Sequence, residues 1–212
     1  MAIGTALWSF ALVVGLLTLT PGLDTALILR TSALDRRKRA WGVVLGIQTG
    51  TLLWGALTSL GVTALLTASH VAYTALRWVG AAYLVWMGVR MLWATFKGQP
   101  APVADEVAVL SGVDSMGGGW RQGALTNLLN PKMGAFYVAV LPQFIPPGTD
   151  HFSMGLLFTA VHIAVGLVWS TVLIGCARLL HGWLRKSQAR RLLDRLTGTV
   201  IAAFGIRLAF SN

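Results

Sequence analysis

Charge is scarce in this chain. Only 11% of its 212 residues are Asp, Glu, Lys or Arg, against roughly 25% in a soluble globular domain. With 55% hydrophobic residues and a mean hydropathy of +0.68, the shortage points to a chain built for a bilayer. Cysteine is nearly absent. The single Cys176 can form neither an intrachain disulfide nor a CxxC pair, which sets aside a membrane thiol oxidoreductase. The apolar stretches also lack clustered histidines or thiols, so a soft-metal exporter is disfavoured, and no cofactor or metal is expected. Acids number seven, and only Asp24 lies inside an apolar stretch. The opening residues 1–20 carry no basic n-region, and their apolar run is too long for a signal peptide. They read as a retained span.

What the chain does have is apolar length. One span needs about 20 apolar residues, and six fit. Span 1 covers Ile3 to Leu29, span 2 Ala40 to Leu66 and span 3 Tyr73 to Phe96. Span 4 covers Arg121 to Phe144, span 5 Phe152 to Leu180 and span 6 Leu196 to Phe210. Lys97 to Trp120 is the one extended polar stretch, a linker with Pro100, Pro102 and Gly117 to Gly119. The expected organisation is a three-helix unit over 1–96, a cytoplasmic linker over 97–120 and a second three-helix unit over 121–212.

The net charge of +10 would suggest nucleic acid in a soluble protein. Here its placement gives a simpler cause. Five Lys and Arg flank loop 1–2, three lie on the 3–4 side and six flank loop 5–6, so 14 share one face and only Arg77 and Arg207 lie on the other. The basic side is expected to be cytoplasmic, with both termini outside and no nucleic-acid partner.

Two proline breaks organise the spans. One reads Leu19-Thr20-Pro21-Gly22-Leu23-Asp24, the other Leu129-Asn130-Pro131-Lys132. Proline lacks an N–H, so the carbonyls four residues back, Leu17 and Asn127, lose their helical donors. In hydrocarbon such groups are tolerated only when buried in protein or lining a cavity. The halves match elsewhere. Arg77-x-x-Gly80 and Gly88-Val89-Arg90 of span 3 parallel Arg195-x-x-Gly198 and Gly205-Ile206-Arg207 of span 6. Gly50 and Trp54 of span 2 parallel Gly166 and Trp169 of span 5. Three spans per half make the repeat inverted, a plan that recurs in secondary transporters. The expected fold is therefore an all-α membrane protein of six helices in two inverted three-helix repeats, helices 1 and 4 broken at proline. A membrane scaffold without transport activity would not need two charged breaks in the bilayer.

These residues resemble the LysE/RhtB family of amino-acid exporters. Residues 19–24 are similar to that family's TPGPN/D signature, with Leu23 in place of its second proline. Gly80-Ala81-Ala82-Tyr83-Leu84 with Met87-Gly88-Val89-Arg90 fits too. The most specific match is Asn130-Pro131-Lys132, followed by Phe136 and Leu141-Pro142-Gln143-Phe144. The resemblance covers nearly the whole chain. It implies secondary active export of amino acids or their derivatives from the cytoplasm across a bacterial inner membrane, with protons as the coupling ion, and no enzymatic activity. Export of a different small solute or cation is the alternative.

The candidate site follows from the breaks. Asp24 lies roughly 9 Å inside Arg30 at helical rise, and an intramembrane acid marks a pathway by default. It is the candidate coupling group. Lys132, the one lysine within a span, lies roughly 7 Å farther out by the same rise, and Asp24 is its one acidic candidate partner. Thr20, Pro21, Gly22, Asn127, Asn130 and Pro131 complete the substrate and coupling set, with freed carbonyls as acceptors and helix N-termini as donors. Gln48, His162 and Gln143 are secondary candidates; a lone polar residue in a span is commonly an interhelical hydrogen-bond partner. Trp54, Trp86 and Trp169 read as packing. The glycine stripe Gly42, Gly46, Gly50 permits close helix contact, either inside the chain or at a homo-oligomer seam.

Overall fold

A computed structural model describes residues 3–20, 22–33, 37–68, 70–96 and 115–177, with isolated helical positions between 188 and 206. Among these there are helices and turns, with no strand. Helix α1 spans Ile3–Leu19, α2 Leu23–Ala33, α3 Arg37–Ala68, α4 His70–Phe96, α5 Met116–Leu128, α6 Pro131–Ala135 and α7 His151–Gly175. Arg37–Gly61 of α3 and the whole of α7 are each long and apolar enough to cross a membrane, and α1 with α2 together make a third such segment, bent by 56°. Pro21, most of the expected linker and most of span 6 lie outside the described residues.

The breaks follow local chemistry. At the second, the Asn130 side chain accepts from the Lys132 N–H at 3.0 Å, and Pro131 takes the first helical position of α6, where its missing N–H costs nothing. After α6 the backbone widens into a π-helical turn, Phe136–Val140, then tightens into a 3-10 turn, Leu141–Phe144. Pro142 cannot donate to the carbonyl four residues back, and the Leu141 N–H reaches Phe136 O instead. Span 4 thus departs from the single break expected at Pro131. Its first helix also starts earlier than Arg121, because Ser115 caps α5 by accepting from Gly118 N at 3.0 Å. Helix α7 begins at the exposed cap Asp150, whose carboxylate accepts from Ser153 N at 2.8 Å. Hydrogen bonds from the Ser153 side chain and then from its N–H hold the Asp150 pKa below the ordinary aspartate value. The turn before it closes with Gly148 at φ 80°, a left-handed conformation suited to glycine.

Helix α3 runs against α5 over most of the length of α5, and against α7 on another face. The glycine stripe makes the α3–α5 approach possible. A Cβ on Gly42 would strike the Met116 carbonyl, one on Gly46 the Trp120 carbonyl, and one on Gly50 the Asn127 side chain. From the other side, Gly119 and Gly123 press on the Arg39 and Val43 backbones. The stripe is therefore consumed inside the chain. At its end the buried Arg39 donates from Nη2 to Gln122 Oε1 at 3.1 Å.

Two apolar clusters flank the middle. One joins Phe10 of α1, Phe136, Tyr137 and Phe144 of the π and 3-10 turns, and Phe158 of α7. Its rings meet at 4.8–5.9 Å between centroids around Phe10, within the range of favourable aromatic contact. The other joins Leu27 and Ile28 of α2, Val43, Val44 and Ile47 of α3, and Leu173 of α7. Between them lies the polar region described below.

The seam predicts a clear contrast. Gly46→Leu forces α3 off the α5 backbone and is expected to cost roughly 1–3 kcal/mol or more, read as a lower melting temperature in detergent. Gly61→Leu, whose added atom meets nothing within 4 Å, should leave that temperature near the parent value. Equal melting temperatures for the two variants would contradict the packing.

Candidate functional site: a polar cavity between two helix breaks

The two breaks meet at one internal cavity of about 60 Å³. That volume holds a few waters at most. Its lining brings together Thr20, Gly22, Asp24, Asn127, Asn130, Lys132, Gln48 and His162 from the sequence-derived set. Gln143 is not among the lining residues; it sits in the 3-10 turn Leu141–Phe144. Pro131 shapes the break from the first position of α6 and is exposed. Pro21 lies outside the described residues.

Asp24 stands in the first turn of α2, where the helix dipole favours a negative charge. Its Oδ2 accepts from Asn127 Nδ2 at 2.8 Å, so the first break is tied to α5, 103 residues on. Lys132 reaches the other way. Its Nζ donates to the Leu17 carbonyl at 3.2 Å and the Thr20 carbonyl at 3.3 Å. An added Cβ on Gly22 would lie 3.2 Å from that Nζ, so the ammonium passes directly over the break.

The two carbonyls stripped of helical donors are both satisfied from within the chain, rather than left as free acceptors. Lys132 takes Leu17 O. Asn127 O accepts from Asn130 N at 3.1 Å and from the indole Nε1 of Trp54 at 3.4 Å. The Thr20 hydroxyl donates to Leu16 O at 2.8 Å, a back-bond common for threonine in helices. Among the described residues, the buried side-chain atoms left without partners include Asp24 Oδ1, Asn127 Oδ1, Thr18 Oγ1 and Trp169 Nε1. All four belong to residues that line the cavity. Leaving such an atom buried and unpaired costs about 1–3 kcal/mol, so unmet hydrogen-bonding capacity is concentrated in the residues around this one space.

Beyond this ring the Tyr137 hydroxyl and His162 Nδ1 lie 3.0 Å apart, both residues buried. The rings stack nearly parallel, 8° between planes. The imidazole is thus held by a neighbouring helix, as expected for a lone polar residue in a span. Thr18, Thr51 and Ser170 also line the cavity without having been singled out in the sequence, and so does Trp169, which was expected only to pack. For Ser170 a signal existed: His162, Gly166 and Ser170 recur at i, i+4 and i+8 of one helix, and so share one face.

Comparison with known proteins identifies relatives of this chain. The sequence profile described as LysE type translocator matches residues 16–212. The chain is 29% identical over 204 residues to the homoserine/homoserine lactone efflux protein of Salmonella typhi, covering 95% of this chain and 96% of that one. It is 28% identical over 201 residues to the threonine efflux protein of Escherichia coli, covering 92% of each. An uncharacterized membrane protein of Pseudomonas aeruginosa is 30% identical over 212 residues, covering 97% of this chain and 95% of that one. No solved structure matches. With its profile match running from the last turn of α1 to residue 212, the chain belongs to the LysE-type translocator family.

Proposed function

We propose that this protein is a secondary active exporter of amino acids or their close derivatives, carrying them out of the bacterial cytoplasm with proton entry as the drive. The observation that carries the reading is the cavity where both breaks converge, with Asp24 as its acid. Family membership and relatives named for homoserine and threonine efflux support the substrate class. The unpaired Asp24 Oδ1 and Asn127 Oδ1 suit the ammonium of an amino acid. Substrate enters from the cytoplasm, binds between the breaks and leaves outside as one repeat moves against the other, the alternating access expected of inverted repeats.

Six spans in two inverted repeats remain our reading of the architecture. Its support is a pattern of exchange. The α3–α5 contact pairs a second span with a fourth, and the contact of α7 with α1 and α2 pairs a fifth with a first. Exchanging the halves turns one into the other. The third and sixth spans meet through Gly88, which faces the Gly198 carbonyl, and through Arg195 Nε, 3.3 Å from Thr95 Oγ1. With 14 basic residues on one side, periplasm-active reporters fused after Gly148 or Asn212 should be active. Fusions after Pro102 or Lys186 should be silent, and activity at Lys186 would end the inverted model.

The coupling test centres on Asp24→Asn. Asparagine mimics a permanently protonated aspartate and still caps a helix start. In reconstituted vesicles the parent should accumulate homoserine or threonine against a gradient when a pH difference is imposed. Asp24→Asn should exchange substrate between equal pools yet show no accumulation above the external level. Full gradient-driven accumulation by this variant would remove Asp24 from coupling.

A further inference from the structure

The cavity supplies acceptors for an ammonium, but the donor for the other end of an amino acid is less obvious. Lys132 already holds two carbonyls. Two tryptophans border this centre and use their indoles differently. Trp54 spends its N–H on Asn127 O, the carbonyl stripped by Pro131. The carbonyl stripped by Pro21, Leu17 O, is taken by Lys132. Trp169 Nε1, by contrast, is buried without a partner.

Its surroundings limit where an acceptor can come from. The Trp169 ring borders an apolar groove between α1 and α7, with Gly15, Thr18, Leu19, Ala164 and Val168 among its walls. Of those side chains only Thr18 offers an acceptor. The ring also lines the polar cavity, as does Thr18, whose hydroxyl is buried and unpaired. An indole N–H is a donor only, and a hydroxyl can donate or accept. Opposite in character stand Asp24 Oδ1 and Asn127 Oδ1, which can only accept. The cavity is therefore polarised, with its acceptor pair on α2 and α5 and its donor pair on α1 and α7.

We propose that Trp169 is a substrate-binding residue, whose indole N–H and the adjacent Thr18 hydroxyl hold the carboxyl end of the transported molecule while Asp24 and Asn127 hold its ammonium. This rests on the amino-acid export reading and assigns recognition of each end to a different pair of helices. In a state with the cavity widened beyond its present 60 Å³, a substrate spanning both pairs satisfies all four orphaned atoms. A molecule that lacks either end leaves two of them unpaired.

The test compares homoserine with 3-aminopropan-1-ol, the same molecule without its carboxyl group, in vesicles carrying the full-length protein. Trp169→Phe keeps the ring and deletes the N–H. It should raise the KM for homoserine about tenfold, the factor for one lost hydrogen bond to a charged group. The inhibition constant of 3-aminopropan-1-ol should stay within about twofold of the parent. Thr18→Val, which keeps the shape and deletes the hydroxyl, should give the same split, and decides the matter if Trp169→Phe fails to fold. An unchanged KM in both variants overturns the proposal. So do parallel changes for both compounds, which would mean a role in cavity shape alone, and absence of any inhibition of the parent by the amine. Failure of the parent itself to carry homoserine or threonine is a different result: it overturns the export reading, and this assignment with it.

Discussion

A backbone carbonyl that loses its helical donor inside a membrane must find another, and in this protein one lysine answers for two. The Lys132 ammonium sits on the Leu17 and Thr20 carbonyls, at the point where α1 gives way to α2. Much of the centre depends on that contact. It lies close over Gly22, where an added side chain would crowd the ammonium. It requires Asn130 and Pro131 to start α6 at a fixed place, so that the lysine leaves its helix in the right direction. A cation held by two carbonyls near a helix start is also a charge that needs a counterpart in low dielectric. Asp24, lining the same cavity, is the acid available within the described spans.

The surroundings keep that polar centre isolated. Phe10, Phe136, Phe144 and Phe158 close it on one side, and Leu27, Val43, Val44 and Leu173 on the other. Charges and dipoles interact more strongly where water is thin. The Asn127 side chain shows the economy of the arrangement. One amide donates to Asp24, its own backbone carbonyl anchors Trp54, and its bulk fills the gap left by Gly50. Replacing it would disturb the acid, the second break and the helix seam together.

Much of this was legible in the sequence. Two prolines in long apolar stretches, each next to a charge, located the breaks, and Asp24, Asn127, Asn130 and Lys132 do converge. Backbone rules act locally, so a sequence reveals which carbonyls lose donors. They do not say who replaces the donor, because that depends on which distant side chain arrives. Lys132 and Trp54 fill those places from 115 and 73 residues away. Trp169 read as packing for the same reason: an indole is mostly carbon, and its one N–H becomes informative only when its neighbours are known. Gln143 attracted notice through its motif, yet the π turn ahead of it resets the helical phase, and it falls outside the cavity lining. The α5 start was hidden by glycines, which weaken helix propensity but here serve the seam.

That seam has a mechanical side. Where α3 meets α5, backbone rides on backbone through Gly42, Gly46, Gly119 and Gly123, and few side chains interlock. Across the phenylalanine cluster the opposite holds, with rings wedged edge to face. Sliding along a smooth track needs no rotamer to change, whereas parting wedged rings means repacking a core. Of the two contacts, the glycine track therefore presents the smaller barrier to sliding, and the aromatic block the larger.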